Sequence, residues 1–378
     1  MSIVWIGLLL FGPVLWFVFN AFLLNGWWKM PVYVPLHANQ QLTISVLIPV
    51  RNEAENIIAL LEDLDRQSYP ADRYEVIVAD DHSTDRTAEL VRAFQSKARY
   101  ALTLLTLTEE NHSSPKKRAI SQAIQQAKHA WIVTTDGDCR VGPQWLQILA
   151  SYQQTTQAQL ISGPVTFHDE GSLRSRIQIV EFASLVGSAA VAMFWKKPNM
   201  CNGANLSYAR SAFLAVDGFQ GNENLASGDD EFLMHKMAAR FPGEVHFLKN
   251  SLALVHTGAH QSFRSFYHQR RRWASKWRHY TDWKVSALAI FVFMANASTI
   301  VGLGAYLAGT ISGFVLASIL GLKFSLEFLF LAGVLHFLRQ SKSIAYIPFV
   351  QLIYPFYVCF FGLLAQGKGY QWKGRKLQ

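Results

Sequence analysis

Three stretches of this sequence contain no charged side chain: residues 2–28, 286–322 and 344–367. A helix that crosses a bilayer needs about 20 apolar residues and must satisfy its backbone polar groups internally. Each stretch is long enough. Residues 29–284 instead mix charges with short apolar runs, as a water-soluble globular domain does. The order of segments is therefore anchor, soluble domain, apolar block.

The amino-terminal stretch does not read as a cleaved signal, which starts basic and ends on small residues. No Lys or Arg precedes Trp5, and the stretch closes on Trp27, Trp28 and Lys29, an interfacial anchor pattern. The net charge of +9 is localised. Residues 263–284 carry seven Lys or Arg and one Asp, and residues 366–378 carry four and no acid, so the remainder sums to −1. Both basic segments flank apolar stretches and suit the anionic cytoplasmic leaflet, which places the soluble domain in the cytoplasm. Charge that tracks the membrane segments excludes nucleic acid as the partner. Cys139, Cys201 and Cys359 lack C-x-x-C spacing, so neither a disulfide framework nor a zinc site is expected.

Residues 286–338 suffice for two helices joined near 309–313. Pro348 and Pro355 interrupt 344–367, so a re-entrant or interfacial segment is expected there, leaving the tail cytoplasmic; a full span is the alternative. The expected division is a transmembrane helix over 1–28, a cytoplasmic catalytic domain over 29–262, and an amphipathic interfacial helix over 263–284. A transmembrane region over 285–367 and a basic tail over 368–378 complete it.

Within the soluble part, residues 42–49 are a continuous apolar, β-branched run, the mark of a strand buried on both faces, and residues 74–79, 101–107 and 131–135 read as the second, third and fourth strands. Residues 53–68, 84–96 and 116–130 between them have helical character. This alternation predicts an α/β fold with an open, mostly parallel sheet, whose ligands sit beyond the carboxyl ends of the strands. Polar clusters stand there: Arg51-Asn52-Glu53, Asp80-Asp81-His82-Ser83 and Asp136-Gly137-Asp138. A dinucleotide-binding G-x-G-x-x-G is missing after the first strand.

Asp136 and Asp138, where a strand frays, can face one divalent ion, and an Asp-Gly-Asp can equally be a plain turn. Asp81 can accept from a nucleobase N–H while Asp80 supports the loop, or both can serve as helix caps. Asp229-Asp230-Glu231 can be a reactive carboxylate pair or simply the acidic first turn of a helix. Phe263, Phe266, Tyr267, Trp273, Trp277 and Tyr280, interleaved with Arg, suit a helix lying in the membrane interface.

Taken together and in order, these motifs resemble the membrane-bound branch of the family 2 glycosyltransferases, of GT-A fold. That branch includes ceramide glucosyltransferases and, more remotely, polysaccharide synthases. The resemblance runs from residue 44 to 280. It rests on the segment from Ser45 through Glu53, on Asp80-Asp81-x-Ser83-x-Asp85, Lys116-x-x-Ala119, Asp136-Gly-Asp138, Gly228-Asp229-Asp230 and Gln269-Arg270-Arg271-Arg272-Trp273. It implies inverting transfer of a sugar from a nucleotide-sugar, UDP-linked, to a membrane lipid acceptor. A processive polysaccharide synthase is the alternative, and a non-catalytic membrane scaffold or transporter is the reading from another class.

By the same resemblance Pro49, Arg51, Glu53, Asp81, Lys116 and Asp136 hold the donor, and Asp138 with Asp136 engages Mg²⁺ or Mn²⁺. Asn202, Asn205, Gln269, Arg272 and Trp273 serve the diphosphate or acceptor. Asp230 is the general base beside Asp229, whose like charge is expected to raise the Asp230 pKa. The family usually has Glu-Asp where this chain has Asp229-Asp230. Such a displacement needs no protein nucleophile, and no Ser-His or Cys-His constellation stands out.

Overall fold

Short β-branched runs flanked by polar loops fold as strands here, and the charge-free stretches fold as long helices. The computed structural model describes residues 3–35, 41–107, 114–223, 225, 228–275, 283–364, 370–372 and 375–377. Trp277, Tyr280 and residues 368–369, 373–374 and 378 of the basic tail lie outside the described residues.

Helix α1 (Ile3–Lys29) comes first, followed by β1 (Ile44–Val50), α2 (Ile57–Asp65), β2 (Tyr74–Asp80), α3 (Thr87–Gln95) and β3 (Ala101–Thr106). Next are α4 (Pro115–Gln126), β4 (Trp131–Thr134), β5 (Arg140–Val141), α5 (Trp145–Thr156), β6 (Leu160–Ser162) and β7 (Val165–Phe167). Then come α6 (Leu173–Phe194), β8 (Leu206–Ala209), α7 (Arg210–Ala215), α8 (Glu231–Arg240), β9 (Val245–Phe247) and β10 (Val255–Thr257). Helices α9 (Phe263–Ser275), α10 (Trp283–Leu307), α11 (Gly313–Phe337) and α12 (Ile347–Leu364) precede a small pair, β11 (Tyr370–Trp372) and β12 (Arg375–Leu377).

The chain divides into two compact units. One comprises Met30–His168 and Ala189–Gly258 and holds both larger sheets. Its seven-stranded sheet has the order β3-β2-β1-β4-β8-β6-β9. Strands β1 to β4 are parallel, β8 runs antiparallel to β4 and β6, and β9 is parallel to β6. The core strands β1, β2 and β4 are almost wholly buried, which explains their mostly apolar sequences. A smaller sheet has the order β5-β10-β7. The architecture is the expected α/β one, mostly parallel.

The other unit comprises Met1–Lys29, Asp169–Ser188 and Ala259–Gln378. The sheet unit thus leaves residues 169–188, most of α6, with the apolar helices. Among the described residues five helices are long and apolar enough to cross a membrane: Leu9–Lys29, Leu173–Phe194, Trp283–Leu307, Gly313–Phe337 and Ser341–Leu364. The expected pair within 286–338 is α10 and α11, joined across residues 308–312. Among the described residues the interruption expected within 344–367 does not appear over 347–364. Pro348 falls in the first turn of α12, where its missing N–H costs nothing, and the helix runs on through Pro355.

Helix α1 packs on α11 and α10. Where α1 meets α11, Lys323 and Glu327 are buried one turn apart, with Nζ 3.1 Å from Glu327 Oε2. The Trp16 indole N–H donates to the same carboxylate oxygen at 3.2 Å, and Lys323 Nζ lies 3.8 Å from the Trp16 ring centre.

Candidate active site

Parallel pairing brings the carboxyl ends of β1, β2 and β4 to one edge of the sheet. Strand β8 starts at that same edge because it runs the other way: Val50 pairs with Asp80, and Thr134 with Leu206. The loops after β1, β2 and β4 and the segment entering β8 therefore meet.

The first two loops are stitched together. The backbone N–H groups of Asn52, Glu53 and Ala54 donate to Ser83 Oγ at 2.9 Å, Thr87 Oγ1 at 2.8 Å and Asp85 Oδ2 at 3.1 Å. In return Asn52 Oδ1 accepts from the Thr84 N–H at 2.8 Å. These cross-loop bonds occupy donors that helical turns leave open, so α2 starts at Ile57 and α3 at Thr87 rather than at 53 and 84. Asn52 and His82 take positive φ angles of 53° and 57° to make the turns.

Asp80 faces back into its loop, accepting from the Ser83 N–H and hydroxyl. The Asp81 carboxylate is buried, accepts from Arg118 Nη2 and lies 3.0 Å from His82 Nδ1. Arg51 Nη1 donates to the Asp81 carbonyl at 2.8 Å. A buried carboxylate needs such partners, and Arg118 was invisible to sequence reasoning because it lies 37 positions away. Pro49 sits in β1, one residue before its end. The Glu53 side chain, which accepts from Asn56 Nδ2 at 2.9 Å, packs over the Asp136–Asp138 turn. Only glycine fits at 137, because a Cβ there would lie 2.9 Å from Val50 Cγ1 and 3.0 Å from Glu53 Cγ.

Lys116, at the start of α4, joins two of the acidic motifs. Its Nζ lies 2.7 Å from Asp136 Oδ1 and 3.1 Å from Asp229 Oδ2. Burial alone would pull this ammonium's pKa down, but Asp136 and Asp229 outweigh it and hold the value well above that of an ordinary lysine. The like-charge repulsion expected between Asp229 and Asp230 is thus met by a cation that pairs with Asp229. Asp230 is the N-cap of α8: its Oδ1 accepts from the Glu231 N–H at 2.8 Å. Its Oδ2 accepts from the Gly203 N–H at 3.0 Å. The helix-start reading therefore holds, and the cap also ties α8 to the segment entering β8.

That segment is a short 3₁₀ turn, Gly203–Asn205, capped by Asn202 Oδ1, which accepts from the Ala204 N–H at 2.9 Å. Thr134 Oγ1 donates to the Gly203 carbonyl at 3.0 Å and so hangs the turn on β4. A Cβ at 203 would lie 3.2 Å from Asp229 Oδ2 and 3.3 Å from Lys116 Nζ. Asn205 does not match its expected ligand contact. It is fully buried, accepts from Trp145 Nε1 at 3.0 Å and donates to the Pro164 and Ala253 carbonyls at 2.9 and 2.8 Å. Its amide is committed to the scaffold.

Gln269, Arg272 and Trp273 lie on α9, in the other unit. There Gln269 Oε1 accepts from Arg270 Nη1, and the Trp273 ring packs against Phe182 and under the Arg270 guanidinium.

Asp136, Asp138 and Cys139 bring potential metal-ligand atoms within 4.8 Å of one another. Burial, together with Asp138 and Asp136, pushes the Cys139 thiol up, and a soft sulfur does not suit a hard, oxygen-seeking cation. Asp138 is half-buried and accepts from Thr257 Oγ1 at 3.2 Å. What remains is two carboxylates beside open solvent, a hard-oxygen donor set that fits Mg²⁺ or Mn²⁺ completed by phosphate and water. His256, beside Thr257 on β10, stacks on His168 with ring centres 5.1 Å apart.

The family description "Glycosyl transferase family 2" matches residues 45–214, and "Glycosyl transferase family group 2" matches residues 131–363, more than half of the chain. Glycosyltransferase AglE of Haloferax volcanii is 37% identical over 124 residues, 33% of this chain and 40% of that protein. The poly(ribitol-phosphate) beta-N-acetylglucosaminyltransferase TarS of Staphylococcus aureus is 31% identical over 108 residues, 29% of this chain and 18% of that protein. The chain therefore spans less than half the length of either relative. Among solved structures, the mannosyltransferase PcManGT of Pyrobaculum calidifontis, in complex with GDP-Man and Mn²⁺, shares the fold. Its TM-score is 0.57 at 18% identity, over 92% of this chain and 95% of that one. With the strand order, the acidic strand-end loops and a family match over most of its length, the chain belongs to the family 2 glycosyltransferases.

Proposed function

We propose that this chain transfers a sugar, with inversion, from a nucleotide-diphosphate sugar to a hydroxyl group of a membrane lipid at the cytoplasmic face. One observation carries the reading: Asp136 and Asp229, from separate motifs, meet at Lys116, and the neighbouring Asp230 is held by the Gly203 N–H. A displacement at an anomeric carbon needs a donor side and an acceptor side that meet, with a carboxylate aimed at the junction. UDP is the first donor to test. The apolar helices and the basic segments support the lipid acceptor and the cytoplasmic side.

In this scheme Asp81, with Arg51 and Glu53, holds the nucleoside, Pro49 shapes that pocket, and Lys116 attracts the diphosphate. Asp138 and Asp136 would hold Mg²⁺ or Mn²⁺, which when bound neutralises charge developing on the leaving diphosphate. Asp230 takes the proton of the acceptor hydroxyl as its oxygen bonds to the anomeric carbon and the bond to the diphosphate breaks. Its two oxygens are fixed by the Gly203 and Glu231 N–H groups, so the base is pre-aimed. Asn202 keeps the 203–205 turn in place, and Asn205 does so from within the scaffold. Gln269, Arg272 and Trp273 remain proposed participants on the strength of their motif.

The test is purified protein in lipid vesicles with labelled UDP- and GDP-sugars. Metal-dependent labelling of lipid is expected, and chelation with EDTA or Asp138→Ala should each lower it by about 10²-fold or more. Labelled long polymers would mark a polysaccharide synthase instead. No transfer from any donor, or transfer indifferent to EDTA, would overturn the reading.

Gly203→Ala tests the junction itself. The added methyl must push Asp229 or Lys116 by a few tenths of an ångström. Transfer should fall about tenfold, since small misplacements near reacting atoms are costly. Thermal unfolding should barely move. Unchanged kinetics would show that the packing at 203 is irrelevant.

A further inference from the structure

Arg270, a member of the Gln269–Trp273 motif that no role above uses, is the most buried of its arginines, at 2% exposure. Its Nη2 pairs with Glu181 of α6, itself buried, and Tyr357 of α12 donates to the other oxygen of that carboxylate at 3.0 Å. The guanidinium lies between two rings of its own helix, 4.6 Å from the Phe266 centre and 4.3 Å from the Trp273 centre. Phe266 in turn packs on Tyr357 and Phe361. Every one of these residues belongs to the apolar-helix unit.

Helical geometry turns this into a statement about direction. At about 100° per residue, Phe266, Arg270 and Trp273 share one face, while Gln269 and Arg272 project roughly 100° and 160° away from Arg270. An apolar face alone would let α9 slide or roll among near-equivalent packings. A planar fork held by one carboxylate and clamped between two rings permits a single rotation. The other arm of the fork reaches Gln269 directly: Arg270 Nη1 donates to Gln269 Oε1.

We propose that Arg270, keyed into Glu181 and Tyr357, is a positioning residue for sugar transfer: it sets the rotation of α9 and holds the Gln269 amide in its working orientation. This rests on the transferase reading above.

Three proteins decide it: native, Arg270→Lys, and a double variant, Glu181→Leu with Arg270→Met, built on Tyr357→Phe so that the hydroxyl that donates to Glu181 is not stranded. Removing both charges of a buried pair generally spares stability, whereas removing one does not. The double variant should therefore melt within a few degrees of native in detergent. Its kcat for lipid labelling should still fall at least tenfold, with binding of free UDP unchanged within twofold. Arg270→Lys keeps the charge but loses the fork, and should show a similar kcat loss at native UDP affinity. A purely structural pair predicts instead that activity returns with stability, so a stable double variant transferring within twofold of native would overturn the proposal. If the double variant does not fold, a folded Arg270→Lys protein with native kcat overturns it just as well. A native protein that transfers nothing defeats the transferase reading itself, and this proposal with it.

Discussion

Asp230→Asn should lower kcat for transfer by about 10²–10⁴-fold, the usual worth of a general base, while nucleotide-sugar binding stays within about twofold. The Asp230 carboxylate accepts one N–H on each oxygen. An asparagine keeps one acceptor but turns an NH₂ toward either the Gly203 or the Glu231 N–H. That mismatch costs about 1–3 kcal/mol, so thermal unfolding must be measured beside the kinetics. Asp229→Asn should be milder in kcat and harsher on donor binding, because Asp229 pairs with Lys116 rather than capping the helix. A folded Asp230→Asn protein with near-native turnover would move the base elsewhere.

The largest stability effect is expected between α1 and α11. Lys323→Met leaves the Glu327 carboxylate buried without its cation and should lower the unfolding free energy by about 3–5 kcal/mol; Glu327→Leu should do the same in reverse. Replacing both removes the charges but strands the Trp16 indole N–H, which donates to Glu327. The triple variant Lys323→Met, Glu327→Leu, Trp16→Phe leaves nothing polar unpaired, and should return to within about 1–2 kcal/mol of native. Unfolding in mild detergent reads all four proteins. Equal stability of the single and triple variants would mean that the pair is not a dry ion pair.

Much of this organisation was legible in the sequence. Strands β1 to β4 are each a mostly apolar run, with polar clusters at the ends of β1, β2 and β4, and long-range information adds little to such a pattern. The short strands β6, β7, β9 and β10, three residues each, are set by pairing partners rather than by periodicity. Helix α6 went unremarked because Arg174, Arg176 and Glu181 break its apolar length, yet Glu181 is buried against Arg270. Pro355 is a breaker in water, but α12 runs through it. In the site, the acidic motifs announce themselves by position after strands. Their pairings do not: Arg118 with Asp81, Lys116 between Asp136 and Asp229, and Gly203 beneath them come from residues far apart in the chain. Asn205 shows the converse case, since a polar residue in a motif segment looks like a ligand until three scaffold partners are seen to claim it.

The antiparallel docking of β8 onto β4 has a consequence for molecules still being made. Synthesis runs from the amino terminus, and domains organise as they emerge. Strands β1 to β4 pair only with one another until Leu206 comes to lie against Thr134. A nascent or prematurely terminated polypeptide that ends before residue 203 therefore carries the loops after β1, β2 and β4 but neither Gly203 nor Asp230. On the proposed chemistry such a fragment has no base and transfers nothing, so incomplete translation products do not spend the cell's glycosyl donors.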